Sequence, residues 1–97
     1  MNYQITSDNI DLSPSMKTLA TDKFERVERL LSDYPDDTKS VRIVLNKGHE
    51  EETFTVKMHL LVNGKEYFSD ETGYGLESVI VNTVEELFEM IKRDKKY

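Results

Sequence analysis

The chain has 97 residues, 37% hydrophobic and 33% charged, which is enough for one domain with a modest core and the polarity of a soluble globular protein. It has no cysteine, which excludes disulfides and thiolate metal sites and fits a reducing cytoplasm. Its formal net charge of −6 runs against a generic nucleic-acid binder, which carries a basic excess.

Met1, Tyr3 and Ile5 alternate with Asn2, Gln4 and Thr6, the pattern of a short first strand. This opening stretch, MNYQITSDNID, lacks the basic start and apolar centre of a signal peptide. Ser7-Asp8-Asn9 is turn chemistry. Ser13-Pro14 then predicts a helix start, because serine caps and proline suits the first helical position. Met16, Leu19, Ala20, Phe24, Val27, Leu30 and Leu31 recur at helical spacing and form one apolar stripe. Ser32-Asp33-Tyr34-Pro35-Asp36-Asp37 ends the helix, since a residue before proline leaves the helical region.

From Val41 to Glu71 the sequence predicts a three-stranded antiparallel meander. Val41, Ile43 and Leu45 point one way; Phe54, Val56, Met58, Leu60 and Val62 form a second apolar set. A loop is expected near Lys47-Gly48-His49-Glu50-Glu51. Asn63-Gly64 is a type I′ hairpin turn, which sets Val62 opposite Lys65, Leu60 opposite Tyr67, Met58 opposite Ser69 and His59 beside Phe68. Thr72-Gly73-Tyr74-Gly75 is expected to break the strand. A second helix follows, with Leu76, Val79, Ile80, Thr83, Val84, Leu87 and Ile91 on its stripe and Phe88 and Met90 flanking it. No apolar run approaches the ~20 residues of a membrane span.

The order β-α-β-β-β-α, with one apolar face on the meander and one stripe on each helix, predicts an α+β fold of two layers. Both helices lie on one face of a four-stranded mixed sheet of order 1-2-3-4, the first strand parallel to the second. The whole of 1–97 reads as a single domain.

Catalytic chemistry is not visible. His49 and His59 are ten apart, one in a loop and one on a strand, and no HExxH, GxGxxG, P-loop or GxSxG motif occurs. Glu50-Glu51-Glu52 reads as a solvated hairpin tip rather than a cation site. No enzyme activity, cofactor, metal or small-molecule substrate is expected. The basic residues are more suggestive. Lys23, Arg26 and Arg29 run up one side of the first helix, with Lys17 before them; Lys92, Arg93, Lys95 and Lys96 end the second. Side by side, the helices would gather these into a patch. Asp22, Glu25 and Glu28 interleave with the first set, however, and spacing alone favours a solvated helix laced with ion pairs.

Several stretches carry a family resemblance: the opening strand; Leu12-Ser13 leading into the helix; DKFERVERLL from Asp22 to Leu31, similar to a Lys-Leu-Glu-x-Leu-Glu-Arg helix end; VRIVL from Val41 to Leu45; LLVNGKEYFS from Leu60 to Ser69; and VEEL from Val84 to Leu87 ahead of a basic terminus. In this order the chain resembles the ribosome hibernation-promoting factors, also called ribosome-associated inhibitors or sigma-factor modulation proteins. The resemblance spans essentially the whole chain. It implies a βαβββα fold like a double-stranded-RNA-binding domain with an added strand. It also implies a cytoplasmic, non-enzymatic stress factor that occupies the mRNA and tRNA channel of the small ribosomal subunit and silences translation. By position, Lys23, Arg26, Arg29, Lys92, Arg93, Lys95 and Lys96 would face ribosomal RNA, and spacing adds Lys17. The chain looks like the short form, without the dimerisation domain of long members, although self-association remains open.

Departures from the family pattern fall on the second helix. Gly75 and Glu77 stand where members usually have an Asp and a Tyr or Phe, and Glu86 and Glu89 stand where they tend to have Lys or Arg. These acids put negative charge on a surface meant to meet phosphate. The alternative reading is an acidic protein-interaction module on the same scaffold, using Leu61, Phe68 and His59 on the open side of the sheet or the free edge of an outer strand.

Overall fold

Six main elements follow one another in the computed structural model, which describes residues 1–95. They are β1 (Asn2–Thr6), α1 (Pro14–Leu30), β2 (Lys39–Lys47), β3 (Thr53–Val62), β4 (Lys65–Tyr74) and α2 (Leu76–Lys95), with a 3₁₀ turn at Asp36–Thr38 before β2. The sheet order is β1-β2-β3-β4, as the alternation predicts. β1 runs parallel to β2, pairing Tyr3 with Val41 and Ile5 with Ile43. β3 runs antiparallel to both of its neighbours, setting Ile43 opposite Met58 and Met58 opposite Ser69.

The hairpin turn fixes this register. Asn63 and Gly64 have φ of 49° and 81°, the two positive values a type I′ turn requires. Val62 therefore faces Lys65, Leu60 faces Tyr67 and His59 faces Phe68. Period-two alternation then sends Val41, Ile43, Leu45, Val56, Met58, Leu60 and Val62 to one side, where all are buried. Both helices cover that side. α1 contributes Ala20, Phe24 and Val27 to the core, joined by Leu31 at its C-cap; α2 contributes Val79, Ile80, Val84, Leu87 and Ile91. Phe54, at the start of β3, is only half-buried at the margin of this cluster.

Local chemistry sets the helix ends. The Ser13 hydroxyl accepts from the Met16 amide at 3.2 Å, satisfying one of the unpaired donors of the first turn of α1. At the other end, the Leu31 carbonyl accepts from the ammonium of Lys39 at 3.1 Å, and Lys39 also meets Asp36 at 3.3 Å. Lys39 is only 4% exposed, because it reaches beneath the helix to this carbonyl. The two buried hydroxyls under α2 are likewise satisfied: Ser69 donates to the Thr83 carbonyl at 3.0 Å, and Thr83 to the Val79 carbonyl at 2.7 Å.

One boundary differs from the sequence expectation. Thr72-Gly73-Tyr74 does not break the chain; β4 continues through it, with Tyr74 paired to Thr53 and Gly73 to Phe54. The long β3 offers a template that outweighs the weak strand propensity of glycine. The break comes one residue later, at Gly75, whose φ of 77° turns the chain into α2.

Candidate nucleic-acid interface on the two helices

The helices lie side by side on the sheet, and their contacts advance together along both: Lys23 with Glu77, Arg26 with Glu85 and Phe88, Lys95 with the Leu30 carbonyl. Residues three and four apart share a helix face, so the seam-facing side of α2 carries Glu77, Glu85, Phe88, Lys92 and Lys95.

The expected site residues do not form one continuous patch. Lys17 sits alone in the second turn of α1, exposed, ahead of the stretch that meets α2. Lys23 pairs with Glu77 at 3.5 Å, and Arg26 pairs with Glu85 through one guanidinium nitrogen. Arg29 pairs with Glu25 one turn back, at 3.7 Å. Arg26 also lies over the Phe88 ring, 4.1 Å from its centroid, and the Lys92 ammonium lies 5.6 Å from the same centroid. Lys95 donates to the Leu30 carbonyl at 2.9 Å, meets Asp33 at 3.3 Å and lies 5.7 Å from the Tyr34 ring centroid. Arg93 is exposed on the last turn of α2, beside Asp94. Lys96 lies outside the described residues. The structure thus gathers Arg26, Lys92 and Phe88 into a cation–aromatic cluster on the seam, with Lys23 and Lys95 at its two ends.

The far side of α2 is different. Glu86 faces β4, where it meets the Glu71 carboxyl and accepts from the Asp70 backbone amide. Partial desolvation against the sheet edge, followed by the neighbouring Glu71 carboxyl, raises its pKa above the ordinary glutamate value. Further along, Asp94 accepts from Tyr67 at 2.8 Å and pairs with Lys65 at 2.8 Å, fastening the end of α2 to β4. Lys65, ahead of Tyr67, holds the Asp94 carboxyl below its usual range. β1 is fastened to α1 by Tyr3, which donates to Glu28 at 2.6 Å and stands edge-on to Phe24. Burial, and then Glu28, push the Tyr3 phenol well above its normal pKa.

The other face of the sheet is open. It carries Arg42, Lys57, His59, Leu61, Glu66 and Phe68; Leu61 is 41% and Phe68 55% exposed. His59 and Glu66 are 2.7 Å apart, with the Phe68 ring alongside. Among the described residues, no three His, Cys, Asp or Glu side chains converge as metal ligands. At the β2–β3 loop Glu50 accepts from the Tyr74 hydroxyl at 2.9 Å, so the acidic tip is tied to the strand end.

Three contributors escape sequence reading. Phe88 flanks the apolar stripe by one position, and that offset is the only sign that it meets cations. Glu85 is indistinguishable from Glu86 until the orientation of α2 is known. Lys39 looks like any surface base beside β2, yet is buried.

A four-stranded sheet covered on one face by two helices is the fold of a known family. The chain belongs to the family described as sigma 54 modulation protein / S30EA ribosomal protein, whose profile matches residues 3–97. This is the family to which the sequence resemblance points. Two solved structures share the fold. A ribosomal subunit interface protein from Coxiella burnetii superposes with a TM-score of 0.77 at 16% identity, covering 100% of both chains. The N-terminal domain of Protein Y from Thermus thermophilus superposes with a TM-score of 0.80 at 19% identity, over 97% of this chain and 99% of that one. No curated protein matches the sequence.

Proposed function

We propose that this protein is a ribosome-binding stress factor. As a single domain it enters the mRNA and tRNA channel of the small ribosomal subunit in the cytoplasm, contacts ribosomal RNA and inhibits translation without catalysing a reaction. The observation that carries the reading is family membership across residues 3–97. Supporting it, Lys23, Arg26, Arg29, Lys92, Arg93 and Lys95 all lie on the helix layer, while the open sheet face carries fewer bases. Local cations matter more than net charge here, because contacts to phosphate are made one side chain at a time. Sedimentation of the purified protein through sucrose gradients with ribosomes and separated subunits tests this. Cosedimentation with small subunits at low salt is expected, and absence from every ribosomal fraction overturns the reading.

A second reading, a protein-interaction module, is favoured by one observation: Leu61 and Phe68 leave an apolar spot on the open face. Replacing both by serine separates the two. Ribosome binding survives if the helix layer is the interface and is lost if the open face is.

A further inference from the structure

Both cations that α1 directs across the seam are already held by carboxylates of α2. Lys23 meets Glu77 and Arg26 meets Glu85, and the acids keep 65% and 51% of their side-chain surface exposed. These pairs contribute little to holding the helices together. Exposed ion pairs are typically worth ~0.2–1 kcal/mol each, and the seam rests on buried Phe24, Val27, Val84, Leu87 and Ile91. Their geometry is nonetheless what a bound RNA backbone would offer: an anionic oxygen within reach of a guanidinium or an ammonium, at the solvent edge of a helix pair. Arg26 in addition has its plane occupied by Phe88 at 4.1 Å, which leaves its nitrogens as the outward-facing donors.

We propose that Glu77 and Glu85 are internal stand-ins for RNA phosphates, so that the protein binds RNA by exchanging a carboxylate for a phosphate at Lys23 and at Arg26. The two acids hold affinity down. They also make binding selective, because an isolated phosphate gains little by displacing a tethered carboxylate. A backbone that engages Lys23, Arg26 and Lys92 together displaces both acids at once. Glu86 and Glu89 do not share this role. Glu86 lies on the β4 side beside Glu71, and Glu89, one turn beyond Glu85, is exposed and pairs with no cation among the described residues, so neither acid occupies a cation of the seam.

The inference rests on the ribosome-binding reading, and the test keeps the two apart. Three proteins are compared: the unaltered chain, Glu77→Gln with Glu85→Gln, and Glu86→Gln with Glu89→Gln. Both variants change the net charge by the same amount. Binding is measured to purified small ribosomal subunits across a salt series, and retention is measured on immobilised heparin, a polyanion without bases. Thermal melts confirm that each protein is folded. The seam variant should bind subunits roughly 2- to 30-fold tighter at low salt, the fold-change equivalent of releasing two exposed pairs, with the advantage shrinking as salt screens the pairs in the unaltered chain. The charge-matched variant should gain clearly less. Equal gains in both variants, or no gain in the seam variant while the unaltered chain binds, would overturn the exchange. If no protein binds subunits but the seam variant alone elutes later from heparin, the ribosome reading fails and the carboxylate exchange stands. Identical heparin retention in that case overturns both.

Discussion

The two long sides of α2 differ in how their charges are arranged. On the side toward α1, opposite charges meet: Lys23 with Glu77, Arg26 with Glu85, and two cations on the Phe88 ring. Toward β4, Glu86 meets the Glu71 carboxyl, and only farther along does Asp94 pair with Lys65. Yet α2 buries its stripe from Val79 to Ile91 whichever charges flank it, so charge does not decide where it sits. The apolar stripe does. Each fully buried Leu or Ile contributes ~1.5–3 kcal/mol, several times an exposed pair. Surface charges on this fold are therefore adjustable without loss of structure, and one family can carry acids where a basic surface is expected.

Breaking the shared foundation should have the largest effect. Phe24→Ala removes a fully buried ring of the α1 stripe that stands edge-on to Tyr3, and should cost roughly 3–5 kcal/mol in a denaturant titration. A loss of half a kcal/mol would show that α1 does not need its core. Lys39→Met should come next. It leaves the Leu31 carbonyl without its ammonium donor and should cost about 1–3 kcal/mol, whereas a surface lysine replaced by Met would cost almost nothing.

The smallest effect belongs to the acidic side of α2. A carboxyl whose pKa is higher in the folded than in the unfolded state binds its proton more tightly when folded. Stability therefore falls as pH rises from the ordinary glutamate value through the raised one. Glu86→Gln should remove that loss, raising stability at pH 7 by a few tenths of a kcal/mol, an amount limited by solvent screening. Urea titrations at pH 7 and near pH 4.5 check it: the gain should shrink at the lower pH. A variant less stable than the parent at pH 7 would contradict the repulsion.

How much was legible follows from which forces act locally. The register of β3 and β4 could be read because Asn63-Gly64 admits one tight turn and alternation does the rest. The start of α1 was equally local, fixed by Ser13 and Pro14. Thr72-Gly73-Tyr74 reads as a break because the partners that hold it in the sheet, Thr53 and Phe54, lie far back in the sequence. The charges were least legible. Glu85 and Glu86 are neighbours, but a turn of about 100° per residue sends them to opposite sides of α2. Only packing shows which one meets Arg26. For the same reason only Lys23 and Arg26, of the α1 bases spaced like a patch, join interhelical ion pairs, while Arg29 pairs within α1 and Lys17 falls outside the set.

The central claim is that the helix layer, through Lys23 and Arg26, is the surface that meets ribosomal RNA. The most direct measurement is the salt dependence of binding to small ribosomal subunits for the unaltered chain, for Lys23→Gln with Arg26→Gln, and for Arg42→Gln with Lys57→Gln on the open sheet face. Both variants lose two positive charges. Each lost phosphate contact lowers the slope of log affinity against log salt by ~0.7–0.9. The helix variant should therefore bind more weakly, with a slope shallower by about 1.4 to 1.8, while the sheet variant keeps the slope of the unaltered chain. Equal slopes in all three proteins, or a larger change in the sheet variant, would contradict the account.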